Sequence, residues 1–147
     1  MQMIHFLTQA KKSTYASGTK YKISSTKPNS IDYHYEKDNY IYHDTYFGSR
    51  EFYGEEIVYL DNKPIWHMKY KGRLINHELT DVYDKILKPA LKKVDEELPI
   101  RGPKEFIFED YKYTFEINGS INKFEGIEKI YRRDKLVYEL ICYGGKL

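Results

Sequence analysis

Residues 31–71 read IDYHYEKDNYIYHDTYFGSREFYGEEIVYLDNKPIWHMKYK, and this stretch decides the fold. Large, mostly aromatic side chains alternate in it with polar ones, which is the period of two that a β-strand produces. Turn-forming pairs interrupt the alternation at Lys37-Asp38, Gly48-Ser49 and Asp61-Asn62. The stretch therefore predicts a four-stranded antiparallel meander. The residues before it, 16–30, are rich in Ser, Thr and Lys and are predicted to form a loop.

Helical spacing of apolar residues occurs on both sides of the meander. Residues 3–15 carry apolar side chains three or four positions apart, which predicts a short amphipathic helix that ends near Gly18. A second apolar stripe covers residues 81–95, where Thr80 is a suitable N-cap. Because the stripe stays in phase across Pro89, we expect one kinked helix from about Asp81 to Asp95.

A second set of strands is predicted in the C-terminal part of the chain. Alternation recurs over residues 106–117, 121–131 and 135–143, and an Asn118-Gly119 pair between the first two indicates a hairpin turn. We therefore predict an α+β domain spanning residues 1–147. About seven antiparallel strands, a meander plus a second hairpin set, are covered on one face by an N-terminal helix and one kinked central helix.

Composition limits the classes of function and the compartment. The chain has 24 Lys and Arg against 22 Asp and Glu, a net charge of +2, and no strongly basic segment. Such a balance does not favour direct nucleic-acid binding. The one cysteine, Cys142, excludes an intramolecular disulfide and is typical of a reducing cytosol. No apolar run approaches the ~20 residues of a membrane span. We expect a cytoplasmic protein that does not contact a membrane.

The predicted register places acids on the aromatic face of the meander. If every hairpin closes through a two-residue loop, Asp44 opposes Tyr53 and Tyr42 opposes Glu55. Exposing so many rings would be a liability, so the helices should cover this face. The residues predicted to bind a ligand are Tyr42, Asp44, Tyr53, Glu55, Trp66 and Arg101. The alternative is a semi-polar core in which phenols and acids satisfy one another.

The other face of the meander carries His43, His67 and Glu56. Two histidines and a carboxylate match a facial metal triad, and a solvated surface is the competing interpretation. No His-x-His or His-x-x-x-His spacing fixes a ligand set. We therefore expect neither a metal nor a cofactor.

Several segments together resemble a known family. They are FLTQAKKSTYA, SSTKPNSIDYHY, YIYHDTYFG, FYGEEIVYLDNKPIWHMKYKGR and the closing CYGG. They resemble an uncharacterised bacterial and archaeal domain of unknown function, found alone or behind an XRE-type helix-turn-helix in predicted transcriptional regulators. The resemblance implies no catalytic residue, but it implies a ligand-sensing or partner-binding domain. The only helix predicted before the sheet is about a dozen residues, so direct DNA binding is not expected.

Three functions fit these expectations. The first is a non-catalytic domain that binds or senses a small polar ligand in a tyrosine-lined pocket. The second is a small enzyme, a hydrolase or a nucleotide-modifying activity, with Asp44 or Glu55 as general acid or base. The third is a protein-interaction module, which needs an exposed apolar patch rather than a cavity. A cavity beside the inner acids favours either of the first two, and the oligomeric state stays open.

Overall fold

The computed structural model describes residues 2–147, and the strands within them form one antiparallel sheet. The strands are β1 (Lys22–Ile23), β2 (Ile31–Lys37), β3 (Tyr40–Gly48), β4 (Glu51–Leu60), β5 (Lys63–Leu74), β6 (Glu105–Phe108), β7 (Tyr111–Ser120), β8 (Lys123–Arg132) and β9 (Lys135–Lys146). Their order across the sheet is β1-β2-β3-β4-β5-β9-β8-β7-β6. Two meanders thus meet where the last strand, β9, pairs with β5.

The helical segments are short. They are α1 (Met3–Ser13), a 3-10 turn (Tyr15–Ser17), a π-helical turn (Tyr83–Leu87) and α2 (Lys88–Leu91). The prediction of one kinked helix to Asp95 is wrong. The N–H of Lys88 bonds to the carbonyl of Tyr83, five residues back, which widens the turn ahead of Pro89. Proline has no N–H and its ring crowds the preceding turn, so a regular α-helix does not form there.

The prediction of about seven strands is also wrong, because the described residues contain nine. The run predicted as one strand over 106–117 is divided into β6 and β7, since Glu109 adopts a positive φ of 53° and turns the chain. The short β1 adds an edge strand beside β2. The Asn118-Gly119 turn is displaced as well: Gly119 lies inside β7 with a φ of 106°, and Ser120 pairs with Lys123 across the actual turn.

The register between β3 and β4 differs from the predicted one. Gly48 pairs with Phe52, so three residues rather than two close this hairpin. Gly48 has a φ of 91°, a conformation that favours glycine. A register shift by an odd number of residues turns every side chain of a strand to the other face. Glu56, not Glu55, therefore lies on the covered face of β4.

A second irregularity, between β4 and β5, returns the side chains of β5 to the faces predicted from the sequence. Tyr59 pairs with Pro64 but Val58 pairs with Trp66, which leaves Ile65 as a β-bulge. The bulge compensates for the longer hairpin loop. Trp66, Met68 and Tyr70 consequently lie on the covered face, as the alternation predicts.

The core lies between this face and the helical segments. Its fully buried large side chains are Phe6, Leu7, Trp66, Met68, Ile86, Leu87, Ile100, Tyr113, Phe115, Ile130, Tyr138 and Leu140. They come from α1, from the π-helical turn, from the loop after α2 and from the strands. No helix within residues 2–147 has the length and apolarity needed to cross a bilayer.

Candidate ligand-binding site

A cavity of about 180 Å³ lies between the covered face of the sheet and the helical segments. Strands β3, β4 and β5 form one wall, and α1, the 3-10 turn, the π-helical turn and the loop at Arg101 form the other. The aromatic lining consists of Tyr15, Tyr42, Tyr46, Phe52, Tyr70 and Tyr83, and the charged lining of Lys11, Asp44, Glu56 and Arg101. A cavity of ~150 Å³ holds benzene, so this one suits a ligand of roughly six to ten non-hydrogen atoms.

Two carboxyl groups lie side by side in the sheet wall. Asp44 and Glu56 are paired across β3 and β4 and are 5% and 3% exposed. Glu56 accepts hydrogen bonds from Lys11 Nζ at 2.6 Å and from the Tyr42 hydroxyl at 2.7 Å. Asp44 Oδ1 accepts one from the Tyr70 hydroxyl at 2.6 Å. Glu56 therefore has a buried cation as its partner, whereas Asp44 has only a phenol.

This difference changes the ionisation of Asp44. Burial and, next, the negative charge of Glu56 raise the pKa of Asp44 to about 8, against the opposing effects of Tyr70 and Lys11. Among residues 2–147 the other oxygen of this carboxyl, Oδ2, has no hydrogen-bond partner. At neutral pH Asp44 is therefore mostly protonated, with one oxygen free to meet a ligand.

The phenols of the cavity also divide into paired and unpaired groups. Burial raises the pKa values of Tyr15, Tyr46 and Tyr70, so all three keep their protons at neutral pH. Tyr83 donates to the Ser49 carbonyl at 2.6 Å. The Tyr15 and Tyr46 hydroxyls have no hydrogen-bond partner within the described residues, and their rings meet edge to face with centroids 6.1 Å apart. Both hydroxyls are therefore available to a ligand.

Arg101 is fixed by a buried ion pair at the cavity wall. Its Nε and Nη2 donate to the two oxygens of Glu128 at 3.0 and 2.7 Å. Glu128 also accepts hydrogen bonds from the Tyr113 and Tyr138 hydroxyls. The guanidinium lies 5.8 Å from the centre of the Tyr70 ring. These contacts use Nε and Nη2 and hold Arg101 rigidly at the cavity.

Comparison with known proteins gives one family. The model of a domain of unknown function, DUF5680, matches residues 44–147. The chain belongs to the DUF5680 family. Neither the curated proteins nor the solved structures contain a match. The expected resemblance to a domain of unknown function is thereby confirmed over residues 44–147.

The DUF5680 match contains only part of the cavity wall. Asp44, Glu56 and Arg101 fall within residues 44–147. Lys11 and Tyr15 precede that range, although both line the same cavity. In this chain the N-terminal helix therefore supplies the cation that pairs with Glu56.

The structure brings together some of the residues predicted to bind a ligand. Tyr42, Asp44 and Arg101 line the cavity. Trp66 is buried beside it, stacked on Phe124 with its Nε1 donating to the Ile121 carbonyl at 3.0 Å.

The predicted inward positions of Tyr53 and Glu55 are wrong. Both residues point away from the helical segments, to the opposite side of the sheet, which we call the uncovered face. There Tyr53 is 59% exposed, and Glu55 Oε1 lies 3.9 Å from Lys27 Nζ. The cause is the three-residue connection after Gly48, which reverses the facing of β4.

Several residues that line the cavity were not predicted from the sequence to bind a ligand. Glu56 was assigned to the opposite face for the same reason that misplaced Glu55. Lys11 follows Leu7 by four positions, so it continues the buried stripe of α1. A lysine at such a position indicates a buried acidic partner, because an unpaired buried charge is costly. Tyr83 belongs to the apolar stripe of residues 81–95, which indicated burial but not a position at this cavity. Tyr15 carried no comparable signal, since it reaches the cavity only through tertiary packing.

The structure does not assemble the metal triad considered for His43, His67 and Glu56. Glu56 faces the cavity, and Ile57 lies between the two histidines across the strands. Within residues 2–147 no group of three or more His, Cys, Asp or Glu side chains is arranged to hold a metal ion.

Proposed function

We propose that this DUF5680 chain is a non-catalytic domain that binds a small polar molecule in the tyrosine-lined cavity. The observation that carries this proposal is the set of unpaired polar groups around one cavity. Asp44 Oδ2 and the hydroxyls of Tyr15 and Tyr46 lack partners within the described residues. None of these three atoms is a fully buried atom without a partner, so each is accessible from the cavity and can pair with a ligand there. A polar ligand would satisfy all three.

The charges of the cavity favour a neutral or positively charged ligand. Lys11 is paired with Glu56, and Arg101 is paired with Glu128, so these four charges balance. Asp44 then adds a negative charge when it ionises. A protonated amine placed against Asp44 would lower the pKa of that carboxyl, because an opposite charge stabilises the ionised form. A neutral ligand would instead accept the Asp44 proton in a hydrogen bond.

Thermal unfolding in the presence of candidate ligands tests the proposal. The screen consists of small metabolites of up to about ten non-hydrogen atoms, because any ligand selective for the native state raises its apparent stability. A ligand at 100 times its Kd adds about 2.7 kcal/mol, roughly 5–10 °C for a chain of this length. We expect positively charged hits to lose most of this effect in Asp44→Asn and to keep it in Glu55→Gln, because asparagine cannot ionise. A screen without hits, or one in which every positively charged hit responds equally in both variants, would contradict the proposal.

A regulatory role follows from the same proposal. The resemblance to domains carried behind XRE-type helix-turn-helix modules in bacterial and archaeal regulators fits a sensor that reports a cytoplasmic metabolite. A ligand can shift an equilibrium only through different affinities for two states. Hydrogen exchange of the amides in α1 and the 3-10 turn, measured with and without a hit from the screen, tests this role. Unchanged exchange in these segments would oppose it.

Acid–base catalysis by Asp44 is the second candidate function. The raised pKa of Asp44 and its position across from Glu56 favour it, since catalytic acids and bases are often tuned in this way. Asp44→Asn would then abolish turnover of a bound hit, whereas a binding domain shows no turnover to lose. Glu55 has no part in this alternative because it lies on the other face.

An interaction module is favoured by a separate observation. Tyr53, Ile127, Ile141 and Tyr143 are each about half exposed, and they lie on the uncovered face of the sheet. Sedimentation at rising protein concentration would show whether this face joins copies of the chain. Self-association lost in Ile141→Lys, together with an empty ligand screen, would favour this function over the cavity.

A further inference from the structure

The uncovered face of the sheet contains two histidines in direct contact. His34 of β2 and His43 of β3 are paired across the strands. Their Nδ1 atoms are 3.3 Å apart, and their rings meet at 76° with centroids separated by 5.5 Å. Both side chains are partly open to solvent, at 30% and 22% exposure.

The other nitrogen of each ring contacts a carboxylate. His43 Nε2 lies 2.7 Å from Asp32 Oδ2, and His34 Nε2 lies 2.7 Å from Glu36 Oε1. An ionised carboxylate only accepts hydrogen bonds, so each Nε2 must carry the proton. When both rings are neutral, each has only this one N–H, and the two Nδ1 atoms face each other as acceptors; when one ring is protonated, its Nδ1–H donates to the other.

Asp32 holds the His43 ring in one orientation. It lies on the same face but is fully buried, because the segment that contains Thr26 and Ser30 packs over it. Its carboxyl oxygens accept hydrogen bonds from the Thr26, Ser30 and Thr45 hydroxyls and contact His43 Nε2. With both oxygens fixed in this way, Asp32 orients His43 with Nδ1 towards His34.

Two lone pairs that face each other at 3.3 Å repel unless a proton or a metal ion bridges them. Imidazole nitrogens bind Zn²⁺ at about 2.0–2.1 Å, and two such ligands in a tetrahedral shell are roughly 3.3–3.4 Å apart. The observed separation of 3.3 Å matches that of two nitrogens bound to one metal ion. Metal-bound histidines also typically donate their second N–H to a carboxylate, as both rings do here.

We propose that the Nδ1 atoms of His34 and His43 bind one divalent cation of the borderline class, Zn²⁺, Cu²⁺ or Ni²⁺. Imidazole suits these ions, whereas Mg²⁺ and Ca²⁺ prefer oxygen. Two protein ligands leave the remaining coordination positions to water or to a donor from another molecule. The site lies on the opposite face from the cavity and does not depend on the ligand proposed there.

Calorimetric titration of the metal-free full chain with Zn²⁺, and separately with Cu²⁺, tests the site. We expect one ion per chain, with binding lost in His34→Ala and in His43→Ala. His77→Ala removes an exposed histidine elsewhere and should bind as the wild type does. In the Cu²⁺ complex, electron paramagnetic resonance should detect two imidazole nitrogens, and no more than one after either substitution in the pair.

A substitution at the exposed residue Glu36, outside the histidine pair, tests the site without disturbing the fold. Glu36 is exposed, so Glu36→Gln should leave the fold intact while weakening metal binding about 10-fold through the loss of its carboxylate. Nitrogen-15 NMR of the metal-free chain should show the Nε2–H tautomer on both rings. The proposal is overturned by an Nδ1–H tautomer on either ring. It is also overturned if no metal binds, or if metal binding is unchanged in both alanine variants of the pair.

Discussion

Replacement of Asp44 by asparagine removes one titrating group with little change in shape. Asparagine keeps an oxygen that accepts the Tyr70 hydrogen bond, and its amide takes the place of the protonated Oδ2. The variant therefore resembles the neutral acid that the folded chain contains at neutral pH. What it loses is the ability to ionise.

The expected effect on stability follows from the pKa of Asp44. That pKa is 3.8 ordinarily and about 8 in the folded chain, so between these values the native state holds a proton that the unfolded state has released. The free energy of unfolding of the wild type consequently falls as pH rises, by about 1.4 kcal/mol per unit for this group. The loss is complete above pH 8 and totals roughly 6 kcal/mol. The free energy of unfolding of Asp44→Asn does not contain this pH-dependent loss.

Urea unfolding from pH 5 to pH 9 measures the difference directly. The free energy of unfolding of Asp44→Asn, minus that of the wild type, should rise by about 1 kcal/mol or more per unit from pH 5 to pH 8 and then level off. Glu55→Gln, an equivalent change on the uncovered face, should give a flat difference. A flat difference for Asp44→Asn as well would refute the assignment of a buried, neutral Asp44.

Three further substitutions test the cavity walls by urea unfolding. Arg101→Met leaves Glu128 buried without its cation and should cost about 3–5 kcal/mol, and an added Glu128→Leu should recover much of this loss. Tyr70→Phe removes the donor to Asp44 and should cost about 1–3 kcal/mol. Gly54→Ala puts a Cβ 2.4 Å from a neighbouring carbonyl oxygen and 2.7 Å from the Tyr70 hydroxyl, so it should cost about 1–3 kcal/mol. Wild-type stability in any of these variants would contradict the packing around that residue.

Local pattern was sufficient to predict the strands of the first meander, because alternation depends only on the period of a strand. The register between the strands was harder to predict than the strands themselves, since it depends on how many residues close each hairpin. Gly48 permits a loop of two or three residues, and this single residue decides whether Glu55 or Glu56 meets Asp44. The bulge at Ile65 then offset the error for β5.

The remaining features that were not predicted depend on contacts between distant parts of the chain. The pairing of β9 with β5 joins residues far apart in the chain, and alternation within either strand does not specify the partner. The same holds for Tyr15 and Tyr83, which reach the cavity only because α1 and the π-helical turn pack against the sheet. Lys11 is the exception, because a lysine in a buried helical stripe was visible in the sequence.

The measurement that tests the central claim most directly is fragment binding observed by NMR. The fragments are amines, alcohols and carboxylates of up to ten non-hydrogen atoms, and the reporters are the ring signals of Tyr15 and Tyr46. We predict that some amines or alcohols shift both reporters in the wild type and in Glu55→Gln, and that Asp44→Asn abolishes the response to amines. A library in which no fragment shifts these rings, or in which every shift survives Asp44→Asn, would contradict a ligand site at this cavity.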